Sequence, residues 1–182
     1  MKKIICLYVL LANYILISYG QANFKITHQP YIQGLTTESV HILWTTDQPA
    51  TGWVELAPDD GSHFYERERP KFFAAAYGFK KVGKLHQVTL KNLIPGTRYR
   101  YRVYNQEVLK HEGTDVLYGK IIATAVYKKE PLTFKTLGKQ KNSEFIVIND
   151  IHGRNEVLNK LLDVGDVKNV DFVVFNGDMA NS

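Results

Sequence analysis

From Phe24 to about Leu137 apolar residues recur at every second position in short runs, and turn residues stop each run at fairly regular intervals. Strand side chains alternate between two faces, so each run can bury one face, and a series of such runs closes into an all-β sandwich. Ser39-Val40-His41-Ile42-Leu43-Trp44-Thr45 places Val40, Ile42 and Trp44 together, with Trp44 expected in the core. Gly52-Trp53-Val54-Glu55-Leu56 reads as another strand. Leu85 to Leu93 alternates through Val88 and Leu90, and the chain turns at Pro95-Gly96. It resumes at Arg98-Tyr99-Arg100-Tyr101-Arg102-Val103, where arginines and aromatics fall on opposite faces. The charged and aromatic stretch from Asp59 to Lys84 has no clear strand order, and its Phe72-Phe73-Ala74-Ala75-Ala76-Tyr77 run fits either a strand or a covered loop.

With 45% hydrophobic, 12% aromatic and 23% charged residues in 182, the chain has enough apolar material for one or two cores, which argues against disorder. The formal net charge is +5, but basic residues interleave with acids, as in Glu66-Arg67-Glu68-Arg69. That is a solvated, mildly basic surface, and no nucleic-acid surface is evident. His28, His41, His63, His86 and His111 are scattered without ligand-like spacing and are expected to be surface or strand residues.

Residues 1–22 need a separate account. Lys2-Lys3 precede an apolar run from Ile4 to Ser18, followed by the small residues Gly20 and Ala22. This is the pattern of a secretory signal peptide cleaved after Gly20 or Ala22, so the mature protein is expected to be exported, periplasmic or extracellular. The competing reading, a membrane anchor, needs ~20 apolar residues, and this run is shorter and holds Asn13. No transmembrane anchor is then expected after cleavage. The single cysteine, Cys6, lies in the leader, so disulfides and thiolate metal sites are excluded from the mature protein.

A polar stretch at 139–143 suits a linker, and beyond it the periodicity changes. Glu144-Phe145-Ile146-Val147-Ile148 and Asp171-Phe172-Val173-Val174-Phe175 are near-continuous apolar runs, typical of strands buried on both faces. Between them Val157, Leu158, Leu161 and Leu162 stand at helical spacing. A strand-helix-strand unit closes with a right-handed crossover, so its strands are parallel and their carboxyl ends share one edge. Asp150 and His152 follow the first strand and Asp178 follows the second. Two carboxylates and an imidazole suit Mn, Fe or Zn. Asn149, Gly153, Gly177 and Asn181 flank these donors and are candidates to support them, the glycines by letting the backbone approach closely. The plain alternative is that Asp150 caps a turn or the helix, which leaves His152 and Asp178 without a role.

Leu93-Ile94-Pro95-Gly96-Thr97-Arg98-Tyr99 resembles the tyrosine-corner segment of fibronectin type III domains, with Tyr99 as the corner tyrosine. Together with Gln29-Pro30-Tyr31-Ile32-Gln33 and Ile42-Leu43-Trp44-Thr45-Thr46, residues 23–138 are similar to the N-terminal domain of purple acid phosphatases. The Asp150-Ile151-His152-Gly153 and Gly177-Asp178 segments resemble the opening motifs of calcineurin-like metallophosphoesterases. That resemblance implies an α/β domain beginning at 144, a phosphate ester substrate, and two divalent or trivalent ions. Asp150 and His152 would ligate the first ion, Asp178 would bridge both, and a metal-bound hydroxide would attack phosphorus in line. The family's later Gly-Asn-His and His-x-His segments are absent from 144–182, so no catalytic acid is assigned within it. The expectation is a truncated, N-terminal fragment with little or no activity alone. Purple acid phosphatases carry Asp-x-Gly where this chain has Asp150-Ile151-His152, and a tyrosine where it has Asn181. The competing function is an exported binding or adhesion module, with the sandwich as the working part and the C-terminal segment a remnant.

Overall fold

The computed structural model describes residues 23–124, 130–139 and 142–180, so the leader expected at 1–22 and Asn181 lie outside the described residues. The described strands are β1 (Ile26–Gln33), β2 (Val40–Pro58), β3 (Lys71–Phe73), β4 (Ala75–Ala76), β5 (Phe79–Lys80), β6 (Val82–Leu90), β7 (Arg98–Glu112), β8 (Asp115–Ala123), β9 (Leu132–Lys135), β10 (Phe145–Ile148) and β11 (Phe172–Phe175). Helix α1 (Asn155–Val164) separates the last two. The fold is thus sandwich-like, with one helix among the described residues.

β2 organises the sandwich. Its first half pairs antiparallel with β1 and β6, from Val40↔Leu90 to Thr45↔Leu85, and its second half pairs with β7 and β3, from Ala50↔Glu107 to Pro58↔Tyr99. The register jumps between Thr45 and Ala50. The expected separate strand at Gly52–Leu56 is therefore the second half of one long strand, because backbone pairing continues through the bend that carries the chain from one layer to the other.

Between the layers lie Val40, Ile42, Trp44, Val54, Val88, Leu90 and Val103, all essentially inaccessible, with Tyr99, Tyr101 and Phe134. Trp44 donates its indole N–H to Asn105 Oδ1 at 2.7 Å and stacks on His86. Gly52 is needed opposite them, since a Cβ there would lie 2.6 Å from Trp44 Cζ2 and 2.9 Å from His86 Nδ1. His86 is a strand residue as expected, but it is buried rather than superficial. Thr46 gives its one hydroxyl proton to Gln48 O, so the His86 Nε2–H donates to Thr46 Oγ1.

Burial, with Lys81 nearby, lowers the His86 pKa to about 4. The unfolded chain therefore binds the proton more readily than the native state, and stability falls as pH drops from about 6.5 toward about 4. The expected loss is on the order of 2–3 kcal/mol. Melting temperatures at pH 7, 5 and 4 measure it, and H86M should flatten that dependence.

The corner forms as the motif predicts. The Ile94 N–H donates to Tyr99 Oη at 2.9 Å, and Gly96, at φ +66°, donates its N–H to Leu137 O. Thr136 Oγ1 donates to Ile94 O at 2.7 Å. This ties the corner to the segment that leads into the C-terminal unit. Y99F removes the acceptor for the Ile94 N–H, and a loss of about 1–2 kcal/mol is expected in urea unfolding.

Aromatics and arginines take opposite faces of β7, as their alternation predicts, and both faces are largely covered. Tyr99 and Tyr101 face the core, yet Arg100 and Arg102 are also buried. The loop 59–69 folds over them. Arg100 donates to Pro58 O, Ser62 O and Asp60 Oδ1 and pairs with Asp59, while Arg102 lies over the Phe64 and Tyr65 rings. Arginine bears such burial here because the donor fork of Arg100 and the planar face of Arg102 are each occupied. The run from Phe72 divides into β3 and the two-residue β4, and β4 and β5 form a hairpin with Tyr77-Gly78 at its tip.

β10 and β11 pair in parallel, Phe145↔Phe172 through Ile148↔Phe175, with α1 between them in sequence, as the crossover requires. The expectation that both strands are buried on two faces is not met among the described residues. Ile148 is buried, but Phe145, Val147 and Phe175 are about half exposed. One helix covers one face of a two-stranded sheet. Its end approaches closely at Gly165, where a Cβ would meet Ile146 Cδ1 at 2.6 Å.

Candidate metal centre

The carboxyl edge of the β10–β11 pair is extended by backbone bonds past the strands themselves. Asn176 N–H donates to Ile148 O, Asp150 N–H to Gly177 O, His152 N–H to Asp178 O at 2.8 Å, and Gly153 N–H to Met179 O. The two loops are therefore zipped together, and their side chains must project at one spot. Asp150 (φ +66°), His152 (φ +50°) and Asp178 (φ +45°) all take left-handed backbone, as do Gly153 and Gly177. Non-glycine residues adopt this region seldom, and its concentration in two short loops marks a backbone bent to aim side chains.

Asp150, His152 and Asp178 each present one donor atom within 4.8 Å of the others. They form the group of metal-capable donors found among the described residues, and the five sandwich histidines have no part in it. His152 Nε2 stands 2.9 Å from Asp150 Oδ1, with both side chains more than half exposed. Donors held at ~2.1 Å from one ion stand at most ~4.2 Å apart, so small side-chain rotations close this set around a cation. Two carboxylates and one imidazole fit Mn, Fe or Zn in charge and hardness. The donor set therefore fits the ions that the motifs imply.

Asp150 does not cap the helix. The N-cap residue is Arg154, without a side-chain capping bond. Instead the Arg154 guanidinium donates to Ile151 O at 3.1 Å and to Asp150 O at 3.3 Å, bracing the bent loop from behind. No feature of the sequence marks this role, because the bonds depend on the left-handed turns before Arg154. Ile151 points the other way into the unit and is buried, which anchors the loop between its two exposed donors. Asn149 is exposed beside the site, and Gly153 and Gly177 occupy the positive-φ positions their type suits.

The sandwich and this unit meet at one end of the molecule. A cavity of about 840 Å³ lies elsewhere, under the arginine-covering loop, lined by His63, Phe64, Arg100 and Arg102. Another, of about 700 Å³, runs between the end of β1, around Tyr31 and Leu35, and the face of β11. The tyrosine corner and Leu137 belong to that same end, since Leu137 N–H donates to Thr36 O.

The fold resembles that of purple acid phosphatase PPD1 from yellow lupin (Lupinus luteus) seeds, at 18% identity and a TM-score of 0.52, over 83% of this chain. The chain spans 29% of the lupin enzyme's length. Further similarities are to the sensor domain of the anti-sigma factor RsgI4 of Pseudobacteroides cellulosolvens (16% identity, 65% of this chain and 99% of that one, TM-score 0.34) and to a human FNIII domain (18% identity, 70% and 96%, TM-score 0.38). No curated protein matches the chain. Residues 28–116, which hold most of β1, all of β2 to β7 and the start of β8, match the family model of the purple acid phosphatase N-terminal domain.

Proposed function

We propose that this chain is the N-terminal part of an exported, metal-dependent phosphoesterase, with Asp150, His152 and Asp178 as the first ligands of a two-metal centre. The observation that carries the reading is the convergence of those three donors within 4.8 Å on the zipped edge of a parallel strand pair. The match of residues 28–116 to the purple acid phosphatase N-terminal domain supports it independently, because it concerns a different part of the chain.

In this reading Asp150 and His152 would hold one ion from the first loop, and Asp178 would serve both ions from the second. Metal ions bound there would polarise the phosphoryl group and activate the attacking water. Arg154 holds the first loop in its bent form, so the donors are aimed before an ion arrives. Three donors do not complete a two-metal shell, so the remaining ligands and the leaving-group acid are assigned to polypeptide that follows β11. Added strands and helices would also cover the half-exposed faces of Phe145, Val147 and Phe175.

Two measurements test this. Purified protein equilibrated with Mn, Fe or Zn and passed through a desalting column should retain about one ion per chain. The coding sequence beyond Ser182 should continue into Gly-Asn-His and His-x-His motifs. Absence of metal uptake together with a stop codon in clean flanking sequence would overturn the enzyme reading and leave the sandwich as the working part.

A further inference from the structure

The interleaving of charge seen at Glu66-Arg67-Glu68-Arg69 stops there. Between Glu68 and Glu107 the sequence has no acidic residue, while Arg69, Arg98, Arg100, Arg102 and five lysines fall within that interval. The arginines are accounted for by the loop 59–69. Lys71, Lys80, Lys81 and Lys84 are exposed and have no ion pair among the described residues; they flank the β4–β5 hairpin in sequence.

The hairpin tip is apolar where polar turn residues are usual. Tyr77 is fully exposed and Phe79 is 78% exposed. Tyr77 also holds φ +52°, a region costly for a bulky residue and suited to Asn or Gly. An aromatic kept in strained backbone and presented wholly to water contributes nothing to the sandwich core. Lys80 Nζ lies over the Phe73 ring at 4.1 Å, so that lysine is held beside the tip rather than folded away.

The hairpin stands at the end of the sandwich remote from the metal loops. Its base is joined to the middle of β2 and the start of β6, through Ala74 N–H to Gly52 O and Lys81 N–H to Ala74 O. The opposite end holds Val40, Leu93 and Leu137 and meets β11. The β7–β8 hairpin runs past Glu107, the residue paired with Ala50, and so projects at the remote end too. It exposes Leu109 and Leu117, with Lys110 paired to Glu112 and with Asp115 at its turn.

We propose that this remote end docks on an anionic phospholipid surface, with Tyr77 and Phe79 entering the interfacial layer and Lys71, Lys80, Lys81 and Lys84 facing the headgroups. Aromatic side chains favour the membrane–water boundary, and each lysine held near an anionic surface strengthens attachment by roughly five-fold. Shallow aromatic insertion and lysine attraction are each weak alone and add together. The Asp150–His152–Asp178 edge then points away from the bilayer and stays open. This inference rests on the sandwich, so it stands or falls separately from the phosphoesterase reading.

The test uses the full chain with vesicles of phosphatidylcholine alone and of a phosphatidylcholine–phosphatidylglycerol mixture. The apolar run at 4–18, with Lys2-Lys3 before it, would itself favour the mixed vesicles, so the hairpin needs its own readout. The added emission of Y77W should be quenched by bromine-labelled lipid in the mixed vesicles and much less in the neutral ones. K80Q with K81Q should weaken binding to the mixed vesicles by on the order of 25-fold, an effect that salt abolishes. Y77N with F79S should remove most of the charge-dependent binding and leave the melting temperature unchanged or higher, since asparagine suits the turn. Unquenched Y77W, or binding indifferent to both double variants, would overturn the proposal. So would concentration-dependent self-association that Y77N with F79S abolishes, which would assign the tip to a contact between copies.

Discussion

Replacing Asp178 with asparagine is expected to lower metal affinity by more than ~100-fold while leaving the fold intact. Changes to groups that merely support metal ligands cost about 10–100-fold, so loss of a direct ligand exceeds that range. The substitution is chosen because the loop's geometry depends on the Asp178 backbone, which accepts the His152 N–H, and not on its carboxylate. Asparagine tolerates φ near +45° as well as aspartate does, so the left-handed turn persists. Titration calorimetry with Mn or Zn measures the affinity, and a metal-free melting curve checks the fold. An unchanged affinity would remove Asp178 from the ligand set and return the cluster to two ordinary exposed acids beside a histidine.

The second large effect is on stability. Trp44→Ala should destabilise the sandwich by about 3–5 kcal/mol from lost burial and the cavity left behind. Asn105 Oδ1 would also lose its buried donor, a further cost of about 1–3 kcal/mol. Domains of this size are stable by about 5–15 kcal/mol in total, so the variant should melt far below the parent or lose its cooperative transition. Trp44→Phe keeps one ring near His86 and loses the N–H with part of the ring volume, so its loss should be clearly smaller. Urea unfolding of both variants separates the packing contribution from the hydrogen bond. Equal losses in the two would mean that the indole N–H, not the ring, dominates at this position.

Much of the sandwich was legible because its evidence is local. The alternation Val40, Ile42, Trp44 needed nothing beyond the two-residue period of a strand, and all three are fully buried. Tyr99 was legible for the same reason, since its bond to Ile94 spans five residues within one loop. The arginines and aromatics of β7 lie on opposite faces as the alternation indicates, but alternation reports which residues share a face, not what covers it. Arg100 and Arg102 are covered by loop 59–69, whose path follows from long-range pairing and ring contacts rather than from a local pattern. The β10 and β11 runs carry the apolar pattern of strands covered on both faces, yet Phe145, Val147 and Phe175 are about half exposed. An apolar run is written for the neighbours it is meant to meet, and among the described residues only one helix meets it.

For the Asp150, His152 and Asp178 group, residue types and spacing supplied three candidate donors, their places after two apolar runs, and the parallel pairing that a right-handed crossover imposes. Those follow from residue types, spacing and chain handedness. Only the tertiary structure decided that the loops continue the ladder past the strands, that three non-glycine residues turn left-handed together, and that Arg154 braces the bend. Each of these depends on a partner 26 to 28 residues away or on a backbone bend that no single residue type demands. The sequence could name three side chains able to hold a metal, and folding alone could bring their donor atoms within 4.8 Å of one another.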